Sequence, residues 1–282
     1  MMNKGKMFGI VVYYQFDLEE FSSNVNSYIK HLHHLVIWFN SRVSDDDLER
    51  FKSSMISSNY SIEIAEVNSG LSEPYNYALT LAEKKDCRFL VTMDQDSSFP
   101  DFGSYYHQAI RIFETNGSTF AVGPEINGTS SFPVEVVEVD HVISSGAIYD
   151  VEKLKRIGGF NDRFFIDALD EEVCYKAALN HFKTFKIKGC VLVHHFGEKK
   201  VHKLFGKEIT TSNYSPTRYY YITRNHVWLL RNIYISLYLR KCIKHNYLYM
   251  PLVKVLLFED CKVQKLCSII KGFMDGYLSN CY

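Results

Sequence analysis

The stretch Arg88-Phe89-Leu90-Val91-Thr92-Met93-Asp94-Gln95-Asp96 decides the fold. A short apolar run bounded by polar residues reads as a strand buried on both faces, the kind found in parallel sheets. Upstream, Met7–Tyr14, Leu35–Phe39 and Ser61–Val67 have the same character. Between them lie helical periodicities: Leu18, Phe21, Val25, Tyr28, Ile29 and Leu32, then Ser44 and Asp47 leading into Leu48, Phe51 and Met55. A third helix is predicted from Ser72 and Pro74 to about Lys84–Lys85. This alternation predicts the α/β class, with βαβ units and a mostly parallel mixed sheet.

Downstream the pattern is less regular. Thr119–Gly123, Val134–Val139 and His141–Tyr149 read as strands, Val151–Ile157 as a short helix closed by Gly158 and Gly159, and residues 170–181 as a helix. Val191–Val193 reads as a last short strand ending at His194-His195, and from about Ser215 the chain is predicted to be helical, basic and rich in tyrosine.

Of 282 residues, 46% are apolar, enough for a sizeable core and against disorder. The formal net charge of zero hides a division. Residues 1–182 hold 15 basic and 27 acidic side chains, net −12, and residues 183–282 hold 17 and 5, net +12. Seven scattered cysteines without a C-x-x-C pair argue against a disulfide framework or a zinc site and fit a reducing compartment. Met7–Tyr14 is too short and too soon followed by Asp17 for a signal peptide. Arg231 and Lys254 interrupt the two best apolar runs, so a soluble or peripheral protein is expected.

Asp94 and Asp96 follow a buried strand, and in extended backbone positions i and i+2 face one side. At the carboxyl edge of an open α/β sheet, where ligands bind, such a pair suits Mg²⁺ or Mn²⁺ carrying a diphosphate. A solvated turn is the plain alternative. Asp167, Asp170, Glu171 and Glu172 crowd the start of a predicted helix. Helix-end electrostatics account for one or two of these acids. Mutual repulsion of the rest raises pKa values, as a general base requires. Either His194 or His195 could complete a metal site, with the other packed structurally.

Several of these residues recur together in a known order. Asp94-Gln95-Asp96-Ser97, Ser144-Ser145-Gly146, the run Gly158 to Asp167, Asp170-x-Glu172-x-Cys174-x-Lys176 and His194-x-x-Gly197 resemble family 2 glycosyltransferases, most of all their bacterial rhamnosyltransferase branch. Ser215-Pro216-x-Arg218-Tyr219-Tyr220, Arg224-Asn225 and Gly272-x-x-Asp275-Gly276 extend the likeness over nearly the whole chain.

The resemblance implies a GT-A fold, with a catalytic domain over residues 1–205 and a helical, basic extension over 206–282. Within the catalytic domain, a nucleotide-sugar half would run to about residue 98 and an acceptor half over 99–205. It implies an inverting transferase in which Asp94, Asp96 and His194 hold the metal and Asp94 also meets the donor. Asp170 would be the general base, with Glu172, Asp167 and Arg218 on the acceptor side. Tyr13, Asn40, Asn68, Gly70 and Asn76 would lie on the donor side. Tyr13-Tyr14-Gln15 replaces the family's usual Thr-Tyr-Asn, Phe39 stands where an Asp often faces the base, and Lys176 replaces an Arg.

The expected donor is a dTDP- or UDP-linked sugar, first dTDP-rhamnose, with UDP-galactofuranose or another UDP-hexose as the alternative. The expected acceptor is a bacterial surface polysaccharide, lipid-diphosphate-linked, at the inner face of the plasma membrane. The basic residues from Lys199 to Lys271, interleaved with Tyr219 to Tyr249, point to an anionic membrane surface rather than nucleic acid, because no nucleic-acid-binding motif accompanies them. A sugar nucleotidyltransferase would need a Gly-rich basic loop after the first strand, which Ile10–Gln15 lacks. A non-catalytic scaffold is the remaining class.

Overall fold

The computed structural model describes residues 3–129, 133–195, 200–204 and 207–279. The chain divides into two compact units. The first comprises the residues up to Arg163 together with Leu169–His195; the second comprises Phe164–Ala168 and the chain after His195.

The first unit is α/β. Strands β1 (Asn3–Tyr13), β2 (His34–Phe39), β3 (Tyr60–Ile64) and β4 (Cys87–Asp94) pair in parallel in the order β3-β2-β1-β4. Helices α1 (Leu18–Asn26), α2 (Asp45–Ser54) and α3 (Ser72–Lys84) make the crossovers. The two capped starts follow from short polar side chains: Asp17 Oδ1 accepts from Glu20 N at 2.8 Å and Ser44 Oγ from Asp47 N at 3.1 Å. α1 is shorter than its periodicity suggests, because the stretch at Ile29–His31 tightens into a 3₁₀ turn. Phe21, Phe39 and Phe51 form an aromatic cluster between the sheet and these helices, with the Phe21 and Phe51 rings stacked at 5.3 Å.

Beyond β4 the sheet continues with β8 (Ile148–Asp150), β6 (Thr119–Ile126), β9 (Lys183–His194) and β5 (Ser97–Ser98), and β7 (Glu135–Val139) pairs with β9. β6 and β9 are parallel, whereas β8 runs against both its neighbours, so the sheet is mixed on this side. Three expectations are corrected here. Helix α4 (Phe102–Thr115) fills a stretch to which no element was assigned; Asp101 caps it, and Phe102, Tyr105, Ala109, Ile112 and Phe113 form its buried face. The expected strand over His141–Tyr149 survives only as β8, because Ser144–Gly146 is a turn. The short strand expected at Val191–Val193 is the end of a twelve-residue β9. α5 (Val151–Arg156) and α6 (Leu169–Leu179) match their expected positions.

The second unit holds an antiparallel hairpin, β10 (Lys200–Leu204) and β11 (Lys207–Thr211), which the sequence pattern did not reveal. Helices α7 (Pro216–Asn232), α8 (Leu237–Ile243), α9 (Met250–Leu257) and α10 (Lys262–Leu278) follow, with a π-helical segment at Lys244–Tyr249. α7 starts at Ser215, whose Oγ accepts from Arg218 N at 3.2 Å, with Pro216 in the first turn.

α10 lies against α7 through glycines. A Cβ at Gly272 would sit 2.5 Å from Tyr220 O, and one at Gly276 would sit 2.3 Å from Arg224 O. Tyr220 Oη donates to Asp275 at 2.8 Å across this seam. Lys265 and Tyr219, counted among the basic and aromatic surface candidates, are core residues here. The Lys265 ammonium, 3% exposed, meets Glu259 at 2.9 Å, and Tyr219 Oη donates to the same carboxylate at 2.7 Å. No helix among the described residues is long and apolar enough to cross a membrane.

Candidate functional site

β4 delivers Asp94 to the carboxyl edge of the sheet, where its register partner on β1 is Val12. The convergence of Asp94 and Asp96 does not come from strand alternation. Asp94 ends the strand, and Gln95-Asp96 form a turn. The turn is clamped on both sides: Gln95 Oε1 accepts from Tyr14 N at 2.6 Å, Gln95 Nε2 donates to Tyr14 O at 3.2 Å, and Asn24 Nδ2 donates to Gln95 O at 3.0 Å. Immediately afterwards β5 pairs with β9, setting Ser97 opposite His194. A ligand atom from each of Asp94, Asp96 and His194 therefore lies within 4.8 Å of the others. Two carboxylates and an imidazole, partly buried, are a donor set that can hold a divalent cation such as Mn²⁺.

Of the two histidines, His194 is the one whose ring lies beside Asp94 and Asp96. Its backbone and ring are fixed independently. Asn127 brackets the peptide, its Nδ2 donating to His194 O at 2.7 Å and its Oδ1 accepting from His194 N at 2.9 Å. Ser97 Oγ meets Nδ1 at 2.6 Å, and Asp96 Oδ1 lies 3.3 Å from the same nitrogen. Asn127 left no signal in the sequence reading, being an isolated polar residue just past a strand. Gly197, the last member of that motif, lies outside the described residues.

The turn Ser144-Ser145-Gly146 joins this triad to Asp170. Ser145 Oγ donates to Ser97 Oγ at 2.7 Å and accepts from Asp94 N at 3.4 Å. Ser144 N donates to Asp170 Oδ2 at 3.3 Å, while its carbonyl accepts from the Thr92 hydroxyl on β4. Gly146 has φ +77°, and a Cβ there would lie 2.9 Å from Pro124 and 3.0 Å from Phe99, so glycine is required on both counts. Tyr105 Oη donates to Gly146 O at 2.7 Å and anchors the turn from below.

Asp170, partly buried at the start of α6, also accepts from Glu171 N at 3.0 Å. Burial, then repulsion from Glu171, holds its carboxyl above the ordinary range, partly offset by His141. Glu172 is 1% exposed, and its pKa is also raised by burial. Its Oε1 takes Lys176 at 3.5 Å and Asn161 at 3.3 Å, and Lys176 also donates to Gly159 O at 3.2 Å. Glu172 therefore braces the Gly158–Asp162 turn from inside the unit rather than facing solvent.

The expected donor-side residues form two groups. Asn40, 2% exposed, donates to Asn68 Oδ1 at 2.9 Å and Gly70 O at 2.8 Å and accepts from Ser69 N at 2.8 Å. Its amide is fully used in shaping the Asn68–Gly70 loop, so it sets that loop's form. Tyr13 ends β1 against Phe21 and Phe39 at 4.9 and 5.0 Å. Asn76, on α3, is tied to Phe160 O at 2.8 Å and Asp162 at 2.6 Å. A surface groove of about 670 Å³, lined by Ser69, Ser72, Asn76, Tyr77 and Asp162 among others, runs along α3 beside this loop.

In the second unit, Asp167 and Arg218 meet at 3.3 Å. Asp167 and Ala168 both take left-handed backbone, φ +64° and +65°, which is unusual for consecutive non-glycine residues. Asn225 on α7, fully buried, holds this segment by donating to Ile166 O at 2.7 Å and Asp167 O at 3.0 Å. The Arg218 guanidinium also lies over Tyr214, 4.3 Å from the ring centre.

No protein-family model matches the chain. In sequence it is similar to the dTDP-rhamnosyl transferase RfbF of Shigella flexneri, 24% identical over 193 residues. That match takes in 61% of this chain and 63%, under two thirds, of the relative. In structure it resembles the mannosyltransferase PcManGT from Pyrobaculum calidifontis, solved with GDP-Man and Mn²⁺: TM-score 0.62, 13% identity, 94% of this chain and 74% of that one. It also resembles S. aureus TarS solved with UDP-GlcNAc: TM-score 0.56, 18% identity, 96% and 80% of the two chains. The fold is that of the GT-A glycosyltransferases, and the likeness to the bacterial family 2 branch read from the motifs agrees with these relatives.

Proposed function

We propose that this chain is an inverting, metal-dependent glycosyltransferase that moves a sugar from a nucleotide donor onto a glycan acceptor. The observation that carries the reading is the linkage, through Ser144-Ser145-Gly146, of the Asp94, Asp96 and His194 triad to a carboxylate of raised pKa, Asp170. Asp94, Asp96 and His194 would hold the ion. A bound divalent ion supplies charge neutralisation to a departing nucleoside diphosphate. Asp170 takes the proton from the acceptor hydroxyl as that oxygen forms its bond to the anomeric carbon and the bond to the diphosphate oxygen breaks. Displacement in a single step, with the acceptor attacking opposite the leaving group, inverts configuration. A carboxylate held above its usual pKa is a better match for a hydroxyl proton than an ordinary surface acid.

The Asn68–Gly70 loop shaped by Asn40, with Tyr13 and Asn76, serves the donor in this reading. Asp167 and Arg218 serve the acceptor, and Glu172 acts by fixing the turn before Asp162. The first donor is dTDP-rhamnose, supported by the rhamnosyl relative; UDP-galactofuranose or another UDP-hexose is the alternative, supported by the UDP-sugar neighbour. The acceptor is a lipid-diphosphate-linked surface polysaccharide at the inner face of a bacterial plasma membrane, supported by the net +12 of residues 183–282. A panel of dTDP-, UDP- and GDP-sugars, each tested with Mn²⁺, Mg²⁺ or chelator for thermal stabilisation, tests the reading. A ligand that binds only the folded state raises its stability by mass action. Metal-dependent stabilisation by one donor is expected; no stabilisation by any of them, with metal present, would refute it.

A further inference from the structure

We propose that α10 is a membrane-interface helix whose exposed apolar stripe enters the headgroup region of an anionic bilayer. Val263, Ile270, Phe273, Met274, Tyr277 and Leu278 are between 50% (Phe273) and 74% (Val263) exposed. They recur at helical spacing along one helix of 17 residues, about 25 Å at 1.5 Å per residue. Scattered exposed apolar residues are ordinary, but a continuous stripe of large ones along a helix marks an interaction surface. The opposite face is already committed, since Ile269, Gly272 and Gly276 are buried and the two glycines meet α7 backbone. The stripe residues therefore stay half or more exposed, with the Arg231 guanidinium lying over the Tyr277 ring at the edge of the stripe.

Charge selects the occupant. α10 carries three lysines and one acid. The acid, Asp275, is hydrogen-bonded to Tyr220 on α7, and the buried Lys265 is paired with Glu259. The charges left at the stripe are cations: Lys262 and Lys271 on α10, both exposed, and Arg231, whose guanidinium lies 4.4 Å from the Tyr277 ring centre. Lys271 lies 5.6 Å from the Tyr220 ring centre. Large apolar and aromatic side chains rimmed by Lys and Arg are what a helix lying in an anionic lipid interface presents. A second copy of the same chain would bring these cations against one another. The inference depends on the membrane location proposed above, and it assigns that location to one face.

The test is co-sedimentation of the full chain with vesicles of phosphatidylcholine alone and with 30% phosphatidylglycerol. Wild type is compared with Ile270→Ser/Phe273→Ser/Met274→Ser and, separately, with Arg231→Glu/Lys271→Glu. Circular dichroism and thermal melts check the fold of each variant, and size-exclusion light scattering records its oligomeric state. Wild type is expected on the anionic vesicles. The apolar variant should lose at least about tenfold in partitioning, from the area no longer buried. The charge-reversed pair should lose about tenfold or more on anionic vesicles only, since each cation near the surface contributes about 1 kcal/mol. Donor-dependent thermal stabilisation should persist in both, which separates this inference from the catalytic reading. Folded variants that sediment like wild type would place the membrane contact elsewhere and overturn the proposal. A wild type that ignores anionic vesicles overturns it too, as does a dimer abolished by the same substitutions.

Discussion

Replacing Gly272 by alanine opposes two well-defined effects. In the interior of an exposed helix, Gly→Ala stabilises by about 1 kcal/mol through backbone entropy. Here the new Cβ would meet Tyr220 O at 2.5 Å, with Arg224 N and Thr223 Cβ both at 3.2 Å. Ordinary contact begins near 3.4 Å, so α10 must withdraw from α7 by about 0.9 Å. The obstacle is a main-chain carbonyl inside a helix, which cannot rotate aside as a side chain could. Overpacking of this kind costs about 1–3 kcal/mol, and withdrawal also stretches the 2.8 Å hydrogen bond from Tyr220 to Asp275, worth about 1 kcal/mol. The net expectation is a loss of about 1–3 kcal/mol. Urea denaturation of the Trp38→Phe background measures it. The remaining one of the two tryptophans, Trp228, lies on α7 with its ring 5.3 Å from Phe164, so its fluorescence reports the second unit. A Gly272→Ala protein as stable as its parent, or more stable, would mean that the two helices are not in close contact and that propensity alone governs the site.

Further outcomes follow from the first unit. Asp96→Ala should abolish Mn²⁺-dependent donor stabilisation without lowering the melting temperature of the free protein, and titration calorimetry with Mn²⁺ and nucleotide checks it. Ser97→Ala removes the hydroxyl that fixes the His194 ring and should weaken metal binding by about 10–100-fold, the usual effect of losing a group that orients a ligand; unchanged Mn²⁺ affinity would show that the ring is held by other contacts. Asp170 has a folded-state pKa above its unfolded one, so its contribution to stability is fully present below the unfolded value near 3.9 and is lost as pH rises through the raised value. Asp170→Asn should therefore flatten that pH dependence in thermal melts while eliminating transfer, and a wild-type transfer rate in this variant would remove Asp170 from the role of base. In wild type, transfer should rise with pH through the same raised value, because only the ionised carboxylate accepts a proton.

The parallel half of the sheet was legible because its signals are local. Met7–Tyr14 and Leu35–Phe39 are uninterrupted apolar runs, and Ser44 and Ser72 sit at or beside the starts of their helices. α4 went unread although Asp101 and the apolar positions from Phe102 to Phe113 carry the usual signals. Those signals follow closely on Ser97-Ser98, which form the two-residue β5. His141–Tyr149 reads as a strand by composition, but the Ser144 N–H and the Ser145 hydroxyl go to long-range partners that no local pattern encodes, and Gly146 turns the chain with a positive φ. The pairing of Asp94 with Asp96 was anticipated on the wrong ground. A turn clamped by Gln95 to Tyr14, 81 residues away, brings them together, not pleat alternation. The choice of His194 over His195 required knowing which residue β5 pairs with.

Ser144 and Ser145 are adjacent, so the two ends of the site hang on Cα atoms only about 3.8 Å apart. In the proposed reaction, one peptide unit would act as a ruler between the triad that would hold the ion and the carboxylate proposed as base. Its length is covalent and does not drift with temperature, repacking or ligand. A substitution that twists the turn would misplace both ends at once, so metal affinity and base strength should fall together rather than trade against each other. On the proposed reading, changes of donor preference among chains built this way would then fall on a part that does not share the ruler, the Asn68–Gly70 loop.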